Sequence, residues 1–191
     1  MPRKPTYDRN ELIDRARDLF WQRGWAGTSL KDLEATLQMQ PGSFYAAFGS
    51  KDALFELAME KYAMDGAARL EALSKKYGPI EALQRFPMMV IVNDDSPAKA
   101  CMLSKTYLEL HMRDHVLADK ANQHLMNMEK QFAELFKQAQ LAGDIDKSLD
   151  PKALARRYQS DLLGLRVSAE RGCVDAKAIA NEIADSLIAF T

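Results

Sequence analysis

Small and hydrogen-bonding side chains are concentrated in one N-terminal stretch of this 191-residue chain. Gln40 and Ser43 can both donate and accept hydrogen bonds, and Gly42 between them allows another molecule to approach the backbone closely. Tyr45 adds a phenol and Lys51 adds a cation. These residue types bind a partner through polar contacts. Since the chain shows no Gly-rich phosphate loop, nucleophile elbow, zincin motif or paired carboxylates in an evident cleft, we expect no enzyme and no cofactor.

The apolar residues around this stretch repeat at helical spacing. They predict an amphipathic first helix ending near Gly24, a two-turn second helix after the capping pair Thr28-Ser29, and a third helix starting at Pro41. Phe44 and Phe48 form an i,i+4 pair and should pack on the first helix. Two very short helices joined by a turn, beside a longer helix, predict a helix-turn-helix running from about residue 30 to 48.

A helix-turn-helix gives the polar residues separate roles on double-stranded DNA. Gln40 and Ser43 can hydrogen-bond base edges in the major groove. Thr28 and Lys51 stand at helix N-termini, where free N–H groups and the helix dipole favour a phosphate. The alternative for Lys51 taken alone is an ordinary surface lysine, and for the segment containing Phe44 it is an ordinary core helix.

Two segments resemble the DNA-binding signature of the TetR family of transcriptional regulators. They are TSLKDL at residues 28–33 and PGSFYAAFGSKDALF at residues 41–55. The resemblance covers about residues 8–62 and implies that Tyr45 and Lys51 contact DNA phosphates. It also implies that the residues at the start of the third helix approach the bases. The residues predicted to bind DNA are Thr28, Gln40, Gly42, Ser43, Tyr45 and Lys51.

The turn between the second and third helices departs from the family pattern. Leu37-Gln38-Met39-Gln40 stands where the family commonly has Ala-Gly-Val-Ser/Thr. Because the turn glycine and the small cap are absent, we expect the turn geometry and the base preference to differ while the fold is kept.

The rest of the chain predicts an all-α body. A fourth helix of about 51–76 should connect it to an N-terminal DNA-binding domain of residues 1–52, and residues 53–191 should form an effector-binding and dimerisation domain. Further helices are expected at about 79–91 with an interruption at Pro87, and at 98–111, 114–142, 151–171 and 175–190. The chain should therefore have about nine helices.

The middle of the chain is rich in methionine, which adapts to varied apolar shapes and can line a ligand cavity. The resemblance implies that a small molecule, which we expect to be apolar, binds the body and releases DNA. The alternative is plain core packing. The predicted effector-binding residues are Met88, Met89, Cys101, Met102, Tyr107, Met126 and Phe132.

The last two long helices each carry an apolar stripe, and Gly164 would permit close helix approach. The resemblance implies that these helices pair two copies into a homodimer, which would match a palindromic operator. The alternative places both stripes inside one chain. The predicted interface residues are Leu154, Tyr158, Leu162, Leu165, Ile179, Ile183 and Leu187.

The two cysteines and the histidines give weaker signals. Cys101 lies near two lysines in sequence, which would favour the reactive thiolate, and it resembles the position of electrophile sensors in the family. The alternative is an inert buried thiol. His111 and His115 are four residues apart, but Asp114 predicts an N-cap and hence a helix break between them, so we expect no metal site. Cys173 stands far from Cys101, which argues against zinc or a disulfide.

Charge and hydropathy limit the possible partners and cellular location of the protein. The net charge is −1, with eight Lys and Arg against six Asp and Glu in residues 1–51 and eighteen against twenty-one in the remainder. The small positive excess falls on the predicted DNA-binding end. The longest apolar run, residues 86–92, is too short for a membrane span, and residues 1–6 show no secretory signal, so we expect a cytoplasmic protein. The competing hypothesis is a non-catalytic helical module that binds small molecules or partners without binding an operator.

Overall fold

The computed structural model describes residues 8–92 and 96–187, which form nine α-helices, one 3₁₀ turn and no strand. The helices are α1 Arg9–Arg23, α2 Leu30–Leu37, α3 Pro41–Phe48, α4 Lys51–Tyr77, α5 Pro79–Val92, α6 Met102–Leu110, α7 Val116–Ala142, α8 Pro151–Arg171 and α9 Ala176–Ser186, with the 3₁₀ turn at His111–Arg113. The predicted all-helical class is confirmed. Across these two ranges, no helix is long and apolar enough to span a membrane.

Helices α1 to α3, called the head, are short because strong caps limit each of them. The Asp8 carboxylate accepts the N–H of Asn10 at the start of α1. Ser29 and Asp32 form a capping box at α2, in which each side chain accepts the other residue's N–H. Pro41 opens α3 at the first helical position. These local signals explain why the sequence predicts the head accurately.

The turn between α2 and α3 keeps the helix-turn-helix path without a glycine. Gln38 ends α2 in the left-handed conformation, with φ of 54°. Met39, the next residue, is buried against the head core. The glutamine therefore takes the conformation that glycine adopts at lower cost, because its Cβ is strained there.

Two clusters of buried apolar residues form the core. The first contains residues of the head together with the first half of α4, α6 and the start of α7, among them Phe20, Phe55, Met102 and Leu117. The second lies in α4 to α9, here called the body, and includes Phe132 and residues of α5, α8 and α9. The head therefore shares its core with the body.

Pro87 does not interrupt α5, contrary to the sequence prediction. A proline inside a helix leaves the carbonyl four residues earlier without its usual N–H partner. Here that carbonyl belongs to Leu83, and the Tyr158 hydroxyl donates to it at 2.6 Å. Burial raises the pKa of Tyr158 well above its ordinary value, so the phenol stays protonated and can donate. A side chain of α8 thus replaces the missing backbone donor.

Two helix starts differ from the sequence prediction. Residues 98–101 are not helical, and α6 begins at Met102. Asp114 is not an N-cap: it lies in the left-handed region after the 3₁₀ turn, and His115 caps α7 by accepting the N–H of Leu117 at Nδ1. The break between His111 and His115 is nevertheless present. The predicted end of the last helix, at residue 190, falls outside the described residues.

Candidate nucleic-acid interface

One side of α3 is exposed and the opposite side is buried. Phe44 and Phe48 are 0% and 6% exposed and belong to the first core cluster, as the i,i+4 pairing predicts. Tyr45 is 49% exposed although it is large and partly apolar. The exposed side is formed by Gln40, Gly42, Ser43, Tyr45 and Ala46. The structure therefore brings together four of the six predicted DNA-binding residues on one surface.

The exposed side of α3 carries little side-chain bulk at its N-terminal end, and the buried aromatic rings of α3 hold it in place. A Cβ added at Gly42 would meet no atom within 4 Å, so the backbone there is open to another molecule. The Phe44 ring packs edge-on against Tyr45 at 5.6 Å between centroids, which orients the phenol. The Arg9 guanidinium lies 5.6 Å from the Phe48 ring centroid. A rigid helix with small outward residues fits the width of a major groove.

Lys51 stands at the first position of α4, three residues after the end of α3. Its ammonium lies 4.1 Å from the centroid of the Trp25 ring, a cation–π contact. Partial burial lowers the pKa of Lys51, and the nearby charges of Asp52 and Glu109 act in the opposite direction. The indole therefore restricts the position of the cation at a helix N-terminus, where an anion is favoured.

Trp25, which lies between α1 and α2, connects the head to the body. Its indole N–H donates to the Asp52 carboxylate at 2.8 Å, and its ring packs against the His115 ring with centroids 4.7 Å apart. The Glu109 carboxylate on α6 accepts the backbone N–H groups of Trp25 at 3.1 Å and Ala26 at 2.7 Å. One carboxylate of the body thus fixes the connection between α1 and α2.

Sequence reasoning missed Trp25 and Glu109. They are 84 residues apart in the chain, so no local pattern joins them. Gly24 is the one local signal, since its φ is +77° and a Cβ there would lie 2.7 Å from a Glu109 oxygen. A glycine that is needed to leave room for the side chain of a distant residue can be recognised only after that residue is known.

Thr28 lies in the interior, contrary to its predicted contact with a phosphate. Its side chain is 0% exposed, and its hydroxyl donates to the Gly24 carbonyl at 2.7 Å. The cap of α2 is the next residue, Ser29, which is exposed. A bulky phosphate cannot reach the Thr28 hydroxyl in this arrangement, so Thr28 is a structural residue of the α1–α2 connection.

The α2 N-terminus carries a compact charge network. The Arg23 guanidinium lies 2.9 Å from the Asp32 carboxylate, and Ser29 donates to the same carboxylate through its hydroxyl and its backbone N–H. The two Ser29 hydrogen bonds, followed by the charge of Arg23, lower the pKa of Asp32. The capping box therefore stays ionised and formed across the neutral pH range.

The body encloses a cavity of about 250 Å³ between α4, α5, α7, α8 and the start of α6. Of the predicted effector-binding residues, Cys101 lies on the wall of this cavity. Met128, which is not in the predicted set, also lines it. The other six lie elsewhere: Met102 and Phe132 are buried in the two core clusters, Met88 and Met89 pack against the second cluster, Tyr107 stacks on His111, and Met126 is exposed. Tyr107 also packs against the first cluster, so five of these six residues belong to the core packing and only Met126 does not.

The predicted dimer stripes also lie mostly within this chain. The second core cluster buries Tyr158, Leu162, Leu165, Ile183 and Leu187, and Leu154 and Ile179 pack against it. The sequence pattern identified the buried face of α8 and α9 correctly, but the residues that cover it belong to the same chain. Because their contacts are intramolecular, the buried members of the stripes are not free to form an interface.

The fold and this surface define a helix-turn-helix protein with a separate cavity in its helical body. The sequence model for bacterial regulatory proteins of the tetR family matches residues 12–58, and that for the tetracyclin repressor-like C-terminal domain matches residues 80–170. The chain belongs to the TetR family. The resemblance seen in the sequence is thereby confirmed.

Relatives and solved structures agree with this assignment. The HTH-type transcriptional repressor ComR of Escherichia coli K12 is 27% identical over 175 residues, which cover 89% of this chain and 83% of ComR. DhaR, a repressor of Mycobacterium sp. GP1, is 23% identical over 181 residues, which cover 92% of this chain and 89% of DhaR. A cysteine mutant of the regulator CifR, complexed with 26-bp operator DNA, superposes with a TM-score of 0.84 at 26% identity, covering 99% of this chain and 100% of that chain.

Proposed function

We propose that this protein is a cytoplasmic transcriptional repressor that binds a palindromic operator as a homodimer and leaves it when a small molecule binds the body. The observation that carries the proposal is the exposed polar side of α3, followed at the start of α4 by the Lys51 ammonium held against Trp25. ComR and DhaR, the relatives described above, are repressors, and the CifR mutant was solved on operator DNA. The protein acts by binding and not by catalysis.

Each exposed residue has a defined role on DNA. Gln40 and Ser43 contact base edges, and Gly42 lets the backbone approach the groove. Tyr45 donates its hydroxyl to a phosphate, and Lys51 pairs with a phosphate through its charge. Base contacts set the preferred sequence, whereas the phosphate contacts set the salt dependence.

The experiment is fluorescence anisotropy with a palindromic duplex from the protein's own promoter, over a series of salt concentrations. Lys51→Ala should weaken binding to every duplex and reduce the salt slope by about one for each lost contact. Tyr45→Ala should weaken binding and leave the salt slope nearly unchanged, because the phenol is neutral. The matched control is Lys137→Ala, an exposed lysine on α7. Weak, sequence-independent binding by the wild-type protein would contradict the proposal.

The exposed face of α8 is the surface on which two copies of the chain pair. Arg157, Ser160, Gly164 and Val167 are exposed and recur at helical spacing on the side of α8 away from the core. Nothing lies within 4 Å of a Cβ added at Gly164, so a second helix can approach closely there. Val167 is 52% exposed despite being apolar. A second copy of the chain is the occupant that supplies two half-site contacts with correct spacing.

Sedimentation tests the dimer directly. The wild-type protein should sediment as a dimer at micromolar concentration, and Val167→Glu should shift it toward the monomer while leaving its circular dichroism unchanged. Lys152→Glu reverses a charge at the exposed start of α8, away from this face, and serves as the control. A wild-type protein that sediments as a monomer would contradict the dimer.

The cavity supports effector binding, and it also fits the rival function of a small-molecule-binding module without an operator. The two functions share the helices and the cavity. They differ in the exposed Tyr45 and the fixed Lys51, which a binding module does not need. Operator anisotropy with and without saturating small apolar compounds separates them, because only a ligand-responsive repressor binds the duplex and then releases it.

A further inference from the structure

Arg166 is a cation on the cavity wall, and the described residues give it no carboxylate partner. Its Nε donates to the Lys99 carbonyl at 2.7 Å, and its guanidinium carbon lies 5.5 Å from the Trp21 ring centroid and 5.9 Å from that of Tyr62. Among residues 8–92 and 96–187, no acidic side chain forms an ion pair with it. The Nε bond and the two rings fix the guanidinium plane and leave its terminal N–H groups for another acceptor.

Glu170, the nearest acidic residue on the same helix, is already hydrogen-bonded to the backbone. The Glu170 carboxylate accepts the backbone N–H groups of Lys99 at 2.5 Å and Ala100 at 2.8 Å. Burial raises the pKa of Glu170, but these two hydrogen bonds and the charges of Lys105 and Arg166 outweigh it and lower the pKa. Glu170 therefore stays ionised and bonded to the backbone, and it does not neutralise Arg166 through a direct pair.

The rest of the cavity wall separates into an apolar part and a polar part. Apolar residues come from the five helices α4 to α8 and include Ala63, Leu70, Phe86, Val90 and Leu162. Neutral polar groups are supplied by Asn127, Gln131 and Gln159. The volume of about 250 Å³ exceeds the cavity of about 150 Å³ known to hold benzene in an engineered protein core. A small molecule with a hydrocarbon part and one charged end matches this division.

We propose that the cavity binds a small carboxylate with an apolar body, and that Arg166 pairs with the carboxylate. A planar guanidinium binds a carboxylate through two parallel hydrogen bonds, which are stronger than neutral ones and specific in geometry. Arg69 and His124 add two further basic side chains to the wall, and among the described residues Glu60 is the one acidic residue that lines it. This chemistry replaces the purely apolar effector expected from the methionines.

The position of Arg166 also gives the ligand a route to the head. The Lys99 carbonyl bonded to Arg166 is followed by Ala100, whose carbonyl accepts the indole N–H of Trp21 on α1 at 2.7 Å. A carboxylate that draws the guanidinium away from Lys99 changes the support of residues 98–101 and so of α1. This second step rests on the proposed function, whereas carboxylate binding does not.

The experiment compares octanoate with 1-octanol, which have the same chain length and differ in the head group. Binding to the full-length protein is followed by calorimetry and by the fluorescence of Trp21 and Trp25. Octanoate should bind at least tenfold more tightly than 1-octanol. Arg166→Gln should weaken octanoate binding by about tenfold or more and leave 1-octanol binding unchanged, because only octanoate loses a charge-assisted pair.

Arg156→Gln is the matched control, because Arg156 lies on the same helix but is exposed and does not line this cavity. Equal affinity for octanoate and 1-octanol, no saturable octanoate binding at millimolar concentration, or a folded Arg166→Gln protein with wild-type octanoate affinity would each overturn the proposal. The comparison of the two ligands uses wild-type protein, so it holds even if the variant does not fold. Operator binding without ligand is measured separately. If the protein does not bind the operator, the repressor proposal is rejected, but the octanoate titration still tests carboxylate binding in the cavity.

Discussion

Gln38 carries the strain of the helix-turn-helix at a single residue. The turn needs a left-handed residue at the end of α2, and this chain supplies glutamine with φ of 54°. An L-residue with a Cβ costs about 1–2 kcal/mol in that conformation relative to its usual region. The departure from the family pattern therefore lowers stability locally and leaves the path of the chain intact.

Replacing this residue should stabilise the protein. We expect Gln38→Gly to raise the free energy of unfolding by about 1 kcal/mol, because glycine adopts positive φ without a Cβ clash. Urea unfolding followed by circular dichroism measures the change. Gln40→Gly is the control: Gln40 has φ of −75°, so glycine brings no relief there. Equal effects of the two substitutions would contradict the argument.

Residue identities in the site could be predicted where the signal is local. Phe44 and Phe48 followed from their spacing, and the exposed side of α3 followed from the residues between them. The choice between Thr28 and Ser29 as cap could not be made from sequence, because both are good caps and only the backbone decides. The Trp25–Glu109 contact joins distant parts of the chain and has no sequence signal.

At the scale of elements, α6 connects the cavity wall to the head. Its N-cap, Cys101, and its second residue, Leu103, lie on the wall, and Glu109 near its other end accepts two N–H groups of the α1–α2 connection. Because rigid helices can carry coupling between two sites, we expect a displacement at the cavity end of α6 to reach the end that bears Glu109. The geometry gives α6 a role in positioning the head.

Glu109→Gln tests this role. The amide has one acceptor oxygen, so one of the two N–H groups of Trp25 and Ala26 should lose its partner at a cost of about 1–3 kcal/mol. We expect faster hydrogen exchange at these two amides by NMR and weaker operator binding. Glu134→Gln, at an exposed position on α7, is the control. Unchanged exchange at both amides would show that the carboxylate contributes nothing there.

The contact between α5 and α8 gives a second test at this scale. Tyr158→Phe should destabilise the protein by about 1–3 kcal/mol, because the Leu83 carbonyl loses its donor. In a Pro87→Ala background the backbone N–H of residue 87 can reach the same carbonyl, so the loss should be smaller. A double-mutant cycle in urea measures this coupling. Additive effects of the two substitutions would contradict the link between Pro87 and Tyr158.

Helix positions were largely predictable from apolar periodicity, but their partners were not. The stripes on α8 and α9 are buried, as their pattern indicates, yet a stripe shows only which face is covered. Whether the covering surface belongs to the same chain or to a second copy depends on the packing of α5 and α7. That packing is decided by long-range contacts, such as the one between Tyr158 and Leu83.

At the scale of the whole molecule, we expect Glu170 to make stability depend on acid pH. Its pKa is lowered in the folded state, so its contribution is present above the unfolded value of about 4.3 and is lost as pH falls through the folded value. Glu170→Gln lacks this titration. We therefore expect the urea midpoint of wild type to fall more steeply than that of the variant between about pH 5 and pH 3.

Glu134→Gln again provides the comparison, as an exposed glutamate outside the 98–101 segment. Its midpoint should follow the wild-type curve. Parallel curves for wild type and Glu170→Gln would mean that the carboxylate bonded to Lys99 and Ala100 does not stabilise the fold.

The first core cluster has a consequence for protein engineering. Phe20 and Phe44 of the head share one apolar core with Met102 and Leu117, which come more than fifty residues later. A chimera joined after residue 52, which the sequence pattern indicates as the natural junction, would separate the two sides of that core. A DNA-binding specificity transplanted between relatives must therefore carry matching surfaces of α6 and the start of α7, or be limited to the exposed residues of α3.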